Sequence, residues 1–277
     1  MLLCTHCRSL YTADIPAPDD APDHDQIYTT VETTIIPDFI QRRVREIVSS
    51  FSNYRQSNRF LDLGFGSAVF MKAAATKGWE VSGVEVSRSA VENARGSGFQ
   101  NVFHGNLAGA GFPAAHFDVV VASEVLEHLV DVRSLLKEVV RILRPGGLFW
   151  ASTPHARGLS FRLLQLEWSV VCPPHHLQLF SVAGMRTLLQ TAGFQQISFA
   201  THGFNPYEVL HARHRTDATP DFNRVATSRQ LNERLMRTPV RRAGKQALNA
   251  VLNATRLGDR MKIHAVHPPS GKSPNVT

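Results

Sequence analysis

A short apolar run, Arg59-Phe60-Leu61-Asp62-Leu63, breaks directly into Gly64-Phe65-Gly66-Ser67-Ala68 and then into a helix-periodic stretch ending at Lys77-Gly78. Two glycines one residue apart let the backbone turn tightly beneath a ligand, and the helix that follows offers its unpaired N–H groups to it. Such a turn belongs at the carboxyl end of a strand in an open α/β sheet. A dinucleotide site of the G-x-G-x-x-G type would need a third glycine at position 69, where this chain has Val69. The pattern is acid-x-Gly-x-Gly-x-small, and Asp62 before the turn suits a ligand carrying an ammonium rather than a diphosphate.

The rest of the chain alternates short apolar runs with helical periods, as strands and helices do around a parallel sheet. An amphipathic helix is expected near 37–51. Strands are expected at Arg59–Leu63, Glu80–Glu85, Asn101–His104, Phe117–Ser123, Leu148–Thr153, Gln195–Thr201 and Met261–Val266, seven in all. FDVVVAS at 117–123 is apolar throughout and reads as a central strand buried on both faces. Ser87, Asp131 and Ser181 stand where helix caps are needed; Gly193 stands where a helix ends in a left-handed residue. In the helix after Asp131, Leu135, Leu136, Val139, Val140 and Leu143 share one face, and Arg144-Pro145-Gly146-Gly147 turns the chain into the next strand.

Five motifs in order, RFLDLGFGSA, VEVS, HGNL, FDVVVASEVLEHL and LRPGGLFWASTPH, resemble those of class I S-adenosylmethionine-dependent methyltransferases. The resemblance covers about 60–201 and extends to the final strand. It implies a doubly wound, Rossmann-like sheet of seven strands, mostly parallel, with the last strand antiparallel. Carried over position by position, it implies that Asp62, Gly64, Phe65 and Gly66 line the methionine part of S-adenosyl-L-methionine. Glu85 would accept from both ribose hydroxyls with Val86 beside it, Asn106 and Leu107 would border the adenine, and Ser123 and Glu124 would close the other side. Two positions depart from the family pattern: Ala68 replaces the third motif glycine, and Asn106 stands where an acid often faces the adenine amine. Both replacements keep the needed size or acceptor group. Residues 31–267 are then the methyltransferase domain, with 204–258 a basic helical insertion or lid, 1–30 an N-terminal segment and 268–277 a flexible tail.

Methyl transfer is an in-line displacement, and a hydroxyl acceptor must lose its proton, so a base is required. Two clusters compete for that role: Glu124-Val125-Leu126-Glu127-His128 after the fourth strand, and Pro173-Pro174-His175-His176 after the fifth. Glu124, Glu127 and His128 are spaced i, i+3, i+4, which on a helical turn gathers two carboxylates and an imidazole as a divalent cation such as magnesium requires, with His175 or His176 a further ligand. The same E-x-x-E-H is similar to that of the ubiquinone-pathway O-methyltransferases and the small-RNA 3′-terminal methyltransferases, in which a metal grips the acceptor hydroxyls. His175 and His176 are the candidate catalytic residues.

The expected activity is methyl transfer to a small-molecule, sugar or lipid-linked acceptor, most readily to oxygen. The alternatives are an NAD(P)-dependent oxidoreductase, disfavoured by Val69 and by the lack of a Tyr-x-x-x-Lys pair, and a silent interaction module on the same fold. At 277 residues, 43% hydrophobic and 19% charged, the chain is neither disordered nor fibrous. Its three cysteines (Cys4, Cys7, Cys172) make no disulfide framework, its start has no export leader, and no window of 18 apolar residues occurs, so a cytoplasmic protein is expected. Cys4-Thr5-His6-Cys7 is half of a zinc ribbon without a second pair in this sequence, so no zinc site is expected there. Residues 211–260 hold eleven Lys or Arg against four acids, equal to the whole net charge of +7. That segment suits peripheral contact with an anionic membrane or another phosphate-bearing partner; nucleic acid is not expected, for want of interleaved aromatic stacking residues.

Overall fold

The structure is a computed structural model in which residues 1–13, 15, 36–211 and 239–269 are described. A hairpin of β1 (Leu2–Leu3) and β2 (Leu10–Tyr11) precedes helix α1 (Asp38–Ser49) and a 3₁₀ turn, Ser50–Tyr54. The alternation follows: β3 (Arg59–Leu63), α2 (Val69–Thr76), β4 (Glu80–Glu85), α3 (Arg88–Gly96), β5 (Val102–His104), β6 (Phe117–Ser123), α4 (Val132–Ile142) and β7 (Leu143–Pro154). Next come α5 (Leu159–Leu164), β8 (Gln178–Leu179), α6 (Val182–Ala192), β9 (Gln195–His202), α7 (Pro206–His211), α8 (Pro239–Ala254) and β10 (Arg260–Val266).

Seven strands form one sheet in the order β5-β4-β3-β6-β7-β10-β9. The first five pair in parallel, whereas β10 is antiparallel to both β7 and β9. Period-2 alternation divides the side chains between two cores. On one face Phe60, Val119, Val121 and Trp150 pack against Val44 and Val48 of α1 and Phe70 of α2. On the other, Leu61, Val120, Phe149 and Ile263 pack against Leu136 and Val139 of α4 and Met185 and Leu189 of α6. Strand β6 is buried on both faces along Phe117–Ala122, which is why it reads as an unbroken apolar run.

The caps are formed by the residues expected. Asp131 Oδ1 accepts from Ser134 N at 3.0 Å, Ser87 Oγ from Ala90 N at 3.2 Å and Ser181 Oγ from Gly184 N at 2.9 Å, while Gly193 has φ +105°. Two features differ from the expected outline. Leu143 leaves the helix and starts β7 by pairing with Phe117, so that Arg144–Gly147 is part of the strand rather than a turn before it. Residues 1–12 are also built onto the molecule: Leu10 and Tyr11 pair with Leu179 and Gln178 of β8 to make a second, three-stranded sheet. Of the basic insertion, α7 and α8 are seen; 212–238 lie outside the described residues, as do 16–35 and 270–277. Among the described residues no helix is long and apolar enough to cross a membrane.

Candidate active site

The glycine turn closes β3 at the carboxyl edge of the sheet. Gly64 donates to Val84 O at 2.8 Å and has φ +61°; a Cβ built on it would lie 2.6 Å from Val125 Cγ2, so neither its dihedral nor its surroundings admit a side chain. Gly66 (φ +45°) donates its N–H to Glu85 Oε2 at 2.9 Å. Glu85 Oε1 accepts from Val86 N (2.8 Å) and Ser87 N (3.1 Å), so this buried carboxylate at the end of β4 clamps the turn to the neighbouring strand. Asp62 is buried behind the turn, and burial together with the nearby Glu85 charge holds its carboxyl well above the usual carboxylate range. Ala68 adopts φ +56°, the left-handed conformation a glycine would take more easily, and its methyl packs with Met71, Ala90 and Val91.

The expected cofactor residues fall into two groups. Asp62, Gly64, Gly66 and Glu85 meet around the turn, with Val86 half-exposed next to them. The Phe65 side chain turns away into the core, against Gly83, where an added Cβ would lie 2.6 Å from its ring, so only its backbone faces the turn. Asn106 spends its Oδ1 on Gly109 N (2.8 Å), shaping the loop after β5, and Leu107 beside it is buried. Ser123, at the end of β6, shares a hydroxyl hydrogen bond with Ser152 of β7 at 3.0 Å.

Beyond Ser123 the chain bends at Glu124 (φ +57°) into the 3₁₀ turn Leu126–His128. Glu124 Oε1 accepts from Ser152 Oγ at 2.9 Å, and Oε2 from Arg260 Nη1 at 2.5 Å across β7. Glu127 is 1% exposed: Oε2 accepts from Thr153 Oγ1 at 2.8 Å, whereas Oε1 is buried with no hydrogen-bond partner. Burial, and then the Glu124 charge, push its carboxyl up to about 8. One ring nitrogen each of His128 and His176 and a Glu127 oxygen lie within 4.8 Å of one another. His128 Nδ1 faces His175 O at 2.6 Å, and His176 Nδ1 faces Val170 O at 2.7 Å. A ring nitrogen facing a carbonyl must carry the proton, which makes Nε2 the lone-pair nitrogen in each neutral ring. Burial lowers the pKa of His176 and so favours that neutral form. The loop carrying it is tied in place by Leu177 N donating to Glu127 O at 2.8 Å.

The gathering therefore differs from the expected set. Glu127 and His128 meet His176, not His175; His175 contributes its backbone carbonyl to His128 and is half-buried. Glu124 is turned to Arg260 and Ser152 and stands outside the group, because it precedes the 3₁₀ turn and its left-handed backbone (φ +57°) takes it off the helical face that the i, i+3 spacing assumed. Arg260, Ser152 and Thr153 were not singled out from the sequence. The signal was thin: Arg260 counts there as one more charge in a basic segment, and Ser152-Thr153 as the polar end of a strand.

Comparison with known proteins agrees with the fold. Residues 38–198 match the sequence model of the "Methyltransferase domain" family, more than half of the chain. The "Probable S-adenosylmethionine-dependent methyltransferase" of Mycolicibacterium smegmatis is 33% identical over 156 residues, covering 55% of this chain and only 58% of that relative. The ubiquinone biosynthesis O-methyltransferase of Thiobacillus denitrificans is 27% identical over 184 residues, 62% of this chain and 78% of the relative. Among solved structures, a SAM-dependent methyltransferase from Archaeoglobus fulgidus superposes with a TM-score of 0.58 at 17% identity, covering 88% of this chain and 100% of its own. The chain thus belongs to the methyltransferase-domain family, as a class I enzyme that takes its methyl group from S-adenosylmethionine.

Proposed function

We infer that the chain methylates an oxygen of a small-molecule acceptor, with a divalent cation held by Glu127, His128 and His176 beside the methyl donor. The observation that carries this reading is the buried Glu127 carboxylate, whose Oε1 has no hydrogen-bond partner and one of whose oxygens lies within 4.8 Å of ring nitrogens of His128 and His176. A buried carboxylate oxygen without a donor is costly, and a cation or a proton is what removes the cost. Each imidazole is oriented by a backbone carbonyl, as metal-ligating histidines are by an outer partner. Two imidazoles and one carboxylate suit zinc, manganese or iron better than magnesium, which prefers oxygen ligands. Such an ion lowers the pKa of a hydroxyl bound to it and fixes its direction.

The remaining work falls to the chain. Gly64 and Gly66 bring the backbone close to the donor's methionine part, Asp62 lies behind them and Glu85 faces the ribose, with Val86, Asn106 and Leu107 around the adenine. Ser123 and Glu124 border the sulfonium side, where Arg260 holds the Glu124 carboxylate in place. The acceptor oxygen attacks the methyl carbon in line with the departing sulfur, one C–S bond breaking as one C–O bond forms. S-adenosylhomocysteine leaves, and the hydroxyl proton passes to a base, for which half-buried His175 is the candidate.

The test is a methyl-transfer assay on a panel of phenols and sugars with metal-depleted enzyme, to which zinc, manganese or magnesium is added back. Glu127→Gln and His176→Ala should abolish metal-dependent turnover, by 100-fold or more on the order expected for losing a metal ligand, while S-adenosylhomocysteine affinity stays within about twofold. Full turnover in both variants, or in metal-free enzyme, would overturn the reading. His175→Ala should lower the rate without altering metal content.

A further inference from the structure

The turn between β1 and β2 brings two thiols together. Thr5–Cys7 form it, with Arg8 N donating to Cys4 O at 2.9 Å, Cys4 N donating to Ser9 O at 2.9 Å and Arg8 left-handed at φ +63°. Cys4 and Cys7 stand at i and i+3 of this turn, which places their Cα atoms within about 7 Å, the upper reach of a disulfide. Both thiols are free and half-buried, and Cys4 is a hydrogen-bonding neighbour of Cys7. A tetrahedral thiophilic ion would need further ligands, and among the described residues no third metal-ligating side chain joins the pair. A bond between the two sulfurs needs nothing else from the chain.

Cys7 is set against a helix end that favours its ionised form. A Cβ added to Gly184, in the first turn of α6, would lie 3.1 Å from Cys7 Sγ, closer than carbon and sulfur ordinarily pack, so the glycine is what lets the sulfur approach the amino end of that helix. The partial positive charge there stabilises a thiolate. Burial works against ionisation, but hydrogen bonds from the Ser9 hydroxyl and N–H, then from Cys4 and Tyr11, outweigh it and lower the Cys7 pKa below the ordinary thiol value. Tyr11 moves the opposite way, raised by burial and then by the Cys7 charge. Its hydroxyl, 4.0 Å from Cys7 Sγ, therefore keeps its proton and donates to the sulfur.

We propose that Cys4 and Cys7 form a thiol–disulfide exchange site, with Cys7 the attacking thiolate and Cys4 the resolving thiol, whose substrate is a low-molecular-weight disulfide. The Cys7 thiolate attacks one sulfur of that disulfide, forming a mixed disulfide and expelling one thiolate. Cys4 gives its proton to solvent and attacks the Cys7 sulfur, forming the Cys4–Cys7 bond and expelling the second thiolate. The chain is oxidised by two electrons, and the incoming disulfide is reduced to two thiols. Cys7 is also the better leaving group of the pair for the reverse attack, so excess thiol reopens the bond. The turn so closed stands at the head of β2, whose Tyr11 pairs with Gln178, and the next residue, Thr12, donates its N–H to Leu177 O at 2.7 Å. The exchange site is thus built onto the loop that carries His176, without using any residue of the methyl-donor site.

The experiment is peptide mapping by mass spectrometry of the full chain treated with oxidised glutathione as the probe and quenched with acid at successive times. In the parent chain the expected product is a Cys4–Cys7 disulfide, the chain lighter by two hydrogens, reached through an adduct on Cys7 and reversed by dithiothreitol. Iodoacetamide labelling of the reduced chain near neutral pH should modify Cys7 about tenfold or more faster than Cys4 or Cys172. Cys4→Ser should stop at glutathione on Cys7, and Cys7→Ser should react at Cys4 about tenfold or more slowly than the parent reacts at Cys7. Glutathione left on both residues of the parent with no bond between them, first attachment at Cys4, or no reaction at either while Cys172 is modified overturns the proposal. So does a zinc ion that co-purifies with the parent and is lost in both serine variants, since the thiolates would then be its ligands. Where a serine variant fails to fold, the products and labelling rates of the parent chain alone decide the matter.

Discussion

At Gly64 the left-handed backbone and the Val125 methyl 2.6 Å from the would-be Cβ leave no room for compromise. Gly64→Ala should cost about 1–2 kcal/mol from the dihedral alone and push Val125 away from the turn. Calorimetry should then show S-adenosylhomocysteine binding weakened by about tenfold or more, and an affinity within twofold of the parent would show that the turn can shift without consequence for the donor. Ala68 makes the instructive contrast. The sequence shows a small residue in place of a glycine and nothing more; the structure shows that it too is left-handed, and that it is buried in one apolar cluster with Met71, Ala90 and Val91. The same limit governs the metal ligands. Spacing makes Glu127 and His128 visible as a pair, but which of two adjacent histidines joins them depends on a loop whose path is set by Leu177 N bonding Glu127 O, a contact 50 residues apart that no local pattern records.

At the scale of elements, what the sequence makes plain is whatever repeats. Strand β6, the caps at Ser87, Asp131 and Ser181, and the left-handed end at Gly193 are all visible because each carries its reason within a few residues. The second sheet is invisible for the opposite reason: β1, β2 and β8 are two residues each, too short for any period, and exist only by pairing with one another. Cys4 and Cys7, which read as half of a zinc ribbon, here bracket the hairpin turn, with Cys4 N donating to Ser9 O at 2.9 Å and Arg8 left-handed at φ +63°. That hairpin is joined to α6 through one residue. Ser181 Oγ accepts from Gly184 N, and its hydroxyl donates to Cys7 O, while Ser181 N donates to Ser9 Oγ at 3.0 Å. Ser181→Ala removes the cap and the tether together. A loss of about 1–2 kcal/mol is expected from urea unfolding, with amide exchange of the hairpin accelerated ahead of the main sheet. An unchanged midpoint would mean that the short sheet holds the hairpin without the serine.

Across the whole molecule the two edges of the sheet have opposite duties. The carboxyl edge carries the orphaned Glu127 oxygen and the raised, buried Asp62 carboxyl. The amino edge carries Asp118, whose buried carboxylate accepts from Gln56 N (2.8 Å), Asn58 N (2.7 Å), Ser57 Oγ (3.1 Å) and the Arg144 guanidinium, and so joins β6, β7 and the approach to β3. Burial alone would raise its pKa, but the hydrogen bonds from Arg144 and the backbone outweigh burial and hold it below the usual carboxylate value. A carboxylate whose folded pKa is depressed takes up its proton more readily in the unfolded chain. The stability it contributes is therefore present above the unfolded pKa, near 3.9, and is lost as the pH falls through the folded one. Asp118→Asn leaves the half-buried Arg144 without its counter-charge, although it still donates to Tyr54 O and Pro145 O, and should cost about 1–3 kcal/mol at neutral pH. In urea unfolding followed from pH 7 to pH 3, the gap between parent and variant should narrow on the acid side; parallel curves would show that the carboxylate's charge is not what Asp118 contributes. Because β6 runs from Asp118 at one edge to Ser123 at the other, the variant also separates folding from chemistry: where it remains folded, its affinity for S-adenosylhomocysteine should match the parent's, since distant sites without shared partners add independently.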